Sequence, residues 1–535
     1  MKHLAGSTAA PGTGASLRID ELLRAEAFPH PVAHIEVRET HISLVILTGP
    51  FAYKIKKPVK FDFIDASTLE RRRRLCEEEL RLNRRYAAGL YLDVVPIVRL
   101  DGRVAVGAAG PAIEYAVRMQ QFDAASELPA LLEANDVSQG EVLALAELLA
   151  GLHLHAPRAR ESGVQANIRQ PGEAVLENLS QLIGELARLE PPVAPGPIAE
   201  WAHDQARALE ASFRLREDSG YIRECHGDLH AANIVRWQGR LTPFDCIEFD
   251  PQLRWIDVIN DLSFLVMDLV SRRRTDLAFA LLSRYLETTG DYGGVPLLRF
   301  YAVHRALVRA KVDALAAGQL PQRAGEFRER LLWRIRAATD WMAPRRPVLI
   351  LMHGPSGSGK SWLSERLVPA LAAIRVRSDV ERKRLAGIRP QQGAAAGLQQ
   401  GIYSAEFSRR TYGRLADCAE RCLQAGFNTI VDAAFLEPAD RELFRDLAAR
   451  LGAAYAIVAC RGDPAMLAAR IAERARARED ASDADLAILA AQLRALQPFP
   501  ARERDLVTTI DTSDTHAVEG VVAAIGTFGD RRHVR

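Results

Sequence analysis

The chain has 535 residues, of which 48% are hydrophobic and 26% charged, with 70 basic side chains against 68 acidic ones and a formal net charge of +2. That length exceeds what one hydrophobic core serves, and the composition is too ordinary for wholesale disorder or a fibrous class, so roughly three or four compact units are expected. So small a net charge supplies no overall field to hold the chain on nucleic acid or anionic lipid, and neither is expected as a partner. Residues 1–18, rich in Gly, Ala, Ser and Thr, read as a disordered tail. From Ile35 to Lys60 two alternating runs, HISLVILTG and FAYKIKK, flank the turn signal Thr48-Gly49-Pro50 and predict a hairpin. A charged helix is expected over Thr68 to Tyr86, then a strand pair, VVPIVRL and RVAVGA, turning at Asp101-Gly102, and a further strand in IEYAVRM. Residues 19–117 therefore read as a small sheet with one helix.

The next region, 118–341, is largely helical but is broken between Tyr221 and Asp250 by short apolar pieces dense in His, Asp and Asn, the composition of functional loops. Two prolines stop the helical pattern in MAPRRP, so 342–347 reads as a linker. Over 348–527 the apolar runs VLILM, NTIVDAAF, AYAIVAC and LVTTI alternate with helical stretches, the pattern of a mostly parallel sheet wrapped by helices; 528–535 is a tail. The six cysteines form neither a C-x-x-C pair nor a zinc spacing and read as reduced thiols in a cytoplasm. No run of about 18 uncharged apolar residues exists, so no membrane span is expected.

In the first half, His226-Gly-Asp-Leu-His-Ala-Ala-Asn233 sets an aspartate and an asparagine five residues apart, with Asp245 twelve residues later in LTPFDCIEF. This resembles the H-G-D-x-H-x-x-N signature of aminoglycoside phosphotransferases, choline kinases and fructosamine kinases. The resemblance implies an α+β, protein-kinase-like bilobal domain, with 19–117 as its N-lobe and 118–341 as its C-lobe. It implies that Asp228 is the catalytic base, with Asn233 and Asp245 as magnesium ligands. It further implies a phosphate-binding lysine on the third strand paired with a helix glutamate: Lys54 with Glu79, or the alternatives Lys56 and Glu78. By the same match Asp261 braces the loop. His226 and His230 read as hydrogen-bonded loop residues, and His153 as packing. A G-x-G-x-x-G between Ile35 and Gly49 is missing, as it is in many relatives of these enzymes.

In the second half, Gly354-Pro-Ser-Gly-Ser-Gly-Lys-Ser361 is a full G-x-x-x-x-G-K-S between a strand and a helix. Glycines are needed where backbone amides must turn inward around phosphate oxygens. Gly354, Ser356, Gly357, Ser358, Gly359, Lys360 and Ser361 are thus the expected nucleotide-binding residues of an α/β P-loop NTPase domain, with Lys360 on the β and γ phosphates and Ser361 on magnesium. Asp432, ending the strand of TIVDAAF, is either a magnesium-side carboxylate or a cap. Asp379 is either the acceptor of a hydroxyl proton or a helix cap, or both, with Arg377 and Arg382 near it. Arg470 and Arg474 share a helix face and either close on the transferring phosphoryl group or form a solvated face. Through GPSGSGKS, RSDVERK and the arginine-rich segment this half resembles small P-loop kinases of the gluconate kinase, zeta-toxin and polynucleotide kinase kind, which implies ATP-dependent phosphorylation of a hydroxyl.

The expectation is thus a cytoplasmic, bifunctional phosphotransferase using ATP and Mg2+ on a small hydroxyl compound. Its alternatives are a nucleotide sensor with a degenerate first half, disfavoured by the retained Asp228, Asn233 and Asp245, and a polynucleotide kinase, which the 7% aromatic content does not favour.

Overall fold

The computed structural model of the protein describes residues 17–61, 64–164, 170–319, 321–388, 401–402, 404–477 and 486–530. The first tail up to residue 16, residues 389–400, residues 478–485 and the last five residues lie outside them. The chain divides into two compact units, one holding residues up to Asp136 together with His226–Arg254, the other Val137–Cys225 together with Trp255 onward.

In the first unit, strands β1 (Glu36–Glu39), β2 (Ser43–Leu47), β3 (Phe51–Lys56), β4 (Tyr91–Leu100), β5 (Arg103–Val106) and β6 (Ala112–Gln120) form an antiparallel sheet of order β1-β2-β3-β6-β4-β5. Asp101 and Gly102, with φ of 47° and 77°, turn β4 into β5, a left-handed pair that suits the twist of a tight hairpin. Helix α1 (Leu69–Ala87) begins at Thr68, whose hydroxyl accepts the Arg71 amide at 3.3 Å. It buries Arg72, Cys76, Glu79, Asn83 and Tyr86, alternating steps of four and three that make one stripe. Ile46, Tyr53, Ile55, Ile97 and Ala116 form the core of the sheet's other side. The hairpin β7 (Ile234–Trp237) and β8 (Arg240–Pro243) completes the unit and separates the loop carrying Asp228 from the one carrying Asp245.

In the second unit, α2 (Gln139–His155), α3 (Val258–Ser271), α4 (Thr275–Thr289), α5 (Val295–Gln319) and α6 (Ala324–Met342) pack together. Every residue of α3 from Val258 to Leu269 is buried, the polar Asn260, Asp261, Ser263 and Asp268 included, so the helix lies wholly in the interior of the unit. The break in the helical region runs on past Asp250: Trp255–Asp257 is a short strand paired with Ile222–Glu224, after which Asp257 caps α3 by accepting the Ile259 amide at 2.9 Å.

The same unit holds a parallel sheet of β9 (Val348–His353), β10 (Ala373–Arg377), β11 (Asn428–Asp432), β12 (Ala454–Arg461) and β13 (Val507–Asp511), in the order β10-β11-β9-β12-β13. All six residues of β9 are buried, the mark of a central parallel strand. Strand β10 is an edge, and α4 covers it. The Arg375 amide donates to Ser283 Oγ at 3.0 Å, and its carbonyl accepts from the Tyr292 hydroxyl at 3.0 Å.

Candidate functional site

The first unit gathers a charged cluster around β3. Alternate residues of a strand share a face, so Lys54 and Lys56 both point at α1. Glu79 receives them together: its Oε1 lies 2.7 Å from Lys54 Nζ and its Oε2 2.6 Å from Lys56 Nζ. Lys54 also pairs with Asp245, and Lys56 with Glu248. Of the alternatives open in the sequence, Glu78 faces elsewhere, toward Arg81 and Arg254. Burial opposes the charge on Lys54, but Asp245, Glu79 and Glu248 outweigh it and hold the ammonium well above the usual lysine range. Burial likewise raises Asp245, yet Lys54 beside it leaves the carboxylate below its ordinary value, ionised at neutral pH.

The loop from His226 is locked by its own polar atoms. His226 Nε2 donates to the Phe244 carbonyl at 2.9 Å while Nδ1 accepts the Asp228 amide at 3.4 Å, which fixes the neutral tautomer. Gly227 has φ 87°, and a Cβ there would meet the Leu253 carbonyl at 2.8 Å, so only glycine turns this corner. Asn233 Nδ2 donates to the Asp228 carbonyl at 3.0 Å and to its Oδ2 at 3.1 Å, with His230 Nε2 at 3.3 Å from the same oxygen. The amide nitrogen of Asn233 is thereby committed, and its oxygen is the end left to meet a cation. Asp245 adopts φ 63°, a left-handed backbone uncommon outside glycine, with its amide held by the Tyr91 hydroxyl at 3.0 Å. An amide oxygen and a carboxylate are the hard donors magnesium takes.

In the second unit the phosphate loop follows β9 and leads into α7 (Lys360–Leu371). Gly354, Gly357 and Gly359 have φ of 139°, 83° and 82°, and Cβ atoms on them would meet the Cys460 carbonyl at 2.5 Å, the Leu467 carbonyl at 2.6 Å and Thr512 Oγ1 at 2.5 Å. The loop is packed so closely against its neighbours that these three places admit no side chain. The buried Ser358 Oγ has no partner in it, Lys360 Nζ donates to the Pro355 carbonyl at 2.7 Å, and the Ser356 amide donates to Gln492 Oε1 at 2.7 Å. A lysine at the end of such a turn, with the first turn of α7 directly after it, is a setting that suits an anionic phosphate chain.

Around the cradle, Asp432 ends β11 beside β9, buried, accepting from Ser364 Oγ at 3.1 Å with Arg377 Nε 3.8 Å away. Ser361 lies in the first turn of α7, its carbonyl accepting from Arg375 Nη1 at 3.3 Å. Asp379 stands in the first turn of α8 (Ser378–Leu385), two places inside the cap, which is Arg377 and not an aspartate. Arg382 is buried and donates to the Ile402 carbonyl at 2.7 Å. Arg470, on α9 (Pro464–Ala477), donates to Thr512 Oγ1 at 3.0 Å and to the Gly357 carbonyl at 3.4 Å, which sets it against the loop; the side chain of Arg474 lies outside the described residues. Sequence reasoning missed Glu248, Glu287, Gln492 and Thr512. Only Glu248 had a signal, its place three residues after Asp245.

Asp261 and His153 lie in the second unit, both buried, with His153 Nε2 3.2 Å from Asp261 Oδ2 and Nδ1 2.8 Å from the Tyr285 hydroxyl. His153 is therefore more than packing: it carries a buried polar relay. Among the described residues no helix is long and apolar enough to cross a membrane.

The AAA domain family matches residues 349–499, the stretch that holds this cradle. The chain is 32% identical over 467 residues, 86% of its length and 91% of theirs, to the uncharacterized proteins Rv2004c of Mycobacterium tuberculosis (strain ATCC 25618 / H37Rv) and Mb2027c of Mycobacterium bovis. Among solved structures, a gluconokinase from Sinorhizobium meliloti 1021 is similar over 35% of this chain and 97% of its own at 19% identity and a TM-score of 0.27. A choline/ethanolamine kinase family protein from Mesorhizobium loti is similar over 58% and 87% at 16% identity and a TM-score of 0.34.

Proposed function

Because the chain belongs to one family with the uncharacterized mycobacterial proteins Rv2004c and Mb2027c, and carries a P-loop domain within it, we propose that it is a bifunctional ATP-dependent phosphotransferase that moves a γ-phosphoryl group to a hydroxyl of a small molecule. The observation that carries the reading is the phosphate loop whose three glycines leave no room for a Cβ. In this reading Lys360 holds the β and γ phosphates, Ser361 and Asp432 hold the cation, and Asp379 accepts the proton of the hydroxyl as its oxygen bonds to phosphorus and ADP departs. Arg470, already against the loop, balances charge on the transferring group.

The first unit works by the same logic with other parts. Lys54, kept charged by Glu79, binds the α and β phosphates; Asn233 and Asp245 hold the cation; Asp228 takes the hydroxyl proton. Bound Mg2+ supplies neutralisation of the phosphate oxygens at each site. What supports two sites is that each has its own lysine, its own cation-facing carboxylate and its own candidate base.

ADP formation and the mass spectrum of phosphorylated products, after incubation with ATP and a metabolite extract, test this. Lys360→Ala and Asp228→Asn are each expected to remove a different part of the turnover. If neither variant lowers it, the proposal fails; if Asp228→Asn alone is silent while nucleotide still binds the first unit, that unit senses ATP and the enzyme has one centre. Stimulation by oligonucleotides and not by small metabolites would instead mark a polynucleotide kinase.

A further inference from the structure

We propose that Glu287, on α4, is a positioning residue of the phosphate-loop site, keeping two arginines from closing on Asp432 and so leaving that carboxylate open to the cation of a bound nucleotide. The inference rests on the nucleotide reading above. Glu287 is 5% exposed, and its oxygens are taken one each by the two arginines of the edge strand: Oε2 by Arg375 Nη2 at 2.9 Å and Oε1 by Arg377 Nη1 at 3.0 Å. The other ends of the same guanidinium groups face the cradle. Arg377 Nε is 3.8 Å from Asp432 Oδ2. Arg375 Nη1 donates to the Ser361 carbonyl and to Ser364 Oγ, each at 3.3 Å, and Ser364 Oγ donates to Asp432 at 3.1 Å.

Each arginine is thus stretched between Glu287 and the metal-facing residues. Burial alone would raise the Glu287 carboxyl, but Arg375 and Arg377 pull it down to about 2, so its charge is present at any working pH. Without that charge Arg375 keeps Glu365 at 3.9 Å, whereas for Arg377 the balance between Glu287 and Asp432, 3.8 Å away, tips toward Asp432. The end of α4 is fixed to α8 as well: the Glu287 carbonyl accepts from Arg384 Nη2 at 2.6 Å, and Arg384 with Arg414 holds the fully buried Glu381, each at 3.0 Å. A helix whose sequence reads as part of the phosphotransferase-like half therefore finishes the site of the P-loop half.

The test uses the full chain and calorimetric titration of ATP at a series of Mg2+ concentrations, the P-loop component being the one that Lys360→Ala removes. Glu287→Gln, equal in shape and without charge, is expected to raise the half-saturating Mg2+ of that component roughly tenfold, the usual scale for a residue behind a metal ligand, while ATP binding in EDTA changes less than about twofold on that same scale. Glu287→Gln with Arg377→Gln is expected to return the Mg2+ requirement toward wild type. A purely structural Glu287 would lower the melting temperature and weaken binding equally with and without Mg2+, and that result, or an unchanged Mg2+ requirement, overturns the proposal. Arg377→Gln alone keeps Glu287 paired with Arg375 and is expected to need no more Mg2+ than wild type; a tenfold increase there overturns it even if Glu287→Gln fails to fold. Should Lys360→Ala remove no component from the wild-type isotherm, the nucleotide reading itself falls.

Discussion

The two candidate nucleotide sites are built on opposite principles. The phosphate loop is eight consecutive residues whose working atoms are backbone amides, and its requirement is negative: no Cβ at Gly354, Gly357 or Gly359. The first-unit site is a set of charged side chains drawn together from far apart, Lys54 and Asp245 being separated by 191 positions, and its requirement is positive: each buried charge needs its partner. A backbone cradle is damaged by adding an atom, and an ion cluster by removing one.

Three substitutions or conditions test that contrast, from the largest effect to the smallest. Lys56→Met leaves Glu248, buried, without its ammonium and is expected to lower the stability of the chain by about 3–5 kcal/mol in denaturant titration, although Lys56 is the lysine further from Asp245 in pairing. A loss under 1 kcal/mol would show that the cluster is not held by charge. Gly357→Ala forces a residue with φ 83° against the Leu467 carbonyl; the left-handed backbone alone costs about 1–2 kcal/mol, and ATP binding at the loop should vanish while the first site is untouched. Retained binding would mean that the cradle tolerates a side chain. The smallest effect is one of pH. His353, buried next to the loop, is held neutral, with burial first and then Arg441 and Lys360 lowering it from 6.5 to about 3. The unfolded chain takes up a proton below 6.5 that the folded one refuses until about 3, so this contribution is whole above that window and declines as pH falls through it, by about 1 kcal/mol at pH 5.5. Melting temperature against pH should fall less steeply in His353→Asn than in wild type; parallel curves would assign the decline to other groups.

The same contrast explains what was legible in the sequence. A contiguous motif announces itself, so Gly354 to Ser361 is readable with its strand and helix, and the hairpin at Gly49, the turn at Asp101-Gly102 and the parallel strands follow from short-range pattern alone. The loop from His226 to Asn233 is readable for the same reason. The choice of Lys54 over Lys56 is not, because both reach Glu79 and they differ only in the second carboxylate each meets, Asp245 or Glu248. Glu287, Gln492 and Thr512 are silent because each acts on a residue distant in the chain, through one side chain in an otherwise ordinary helix or turn. The short strand Trp255–Asp257 was hidden by the greasy helix that follows it, since an apolar run gives no period until its partner strand is known.

The hydroxyls of Ser283 and Tyr292 on the rim of the parallel sheet have one more consequence. They occupy the backbone groups of Arg375 that a neighbouring strand would otherwise seek. A fragment beginning at the linker would carry the whole phosphate loop yet present that rim bare, inviting self-association through main-chain pairing. Splitting the gene product between its halves should therefore yield a soluble-looking sequence that clumps, and the clumping should be relieved by supplying the missing helix in trans.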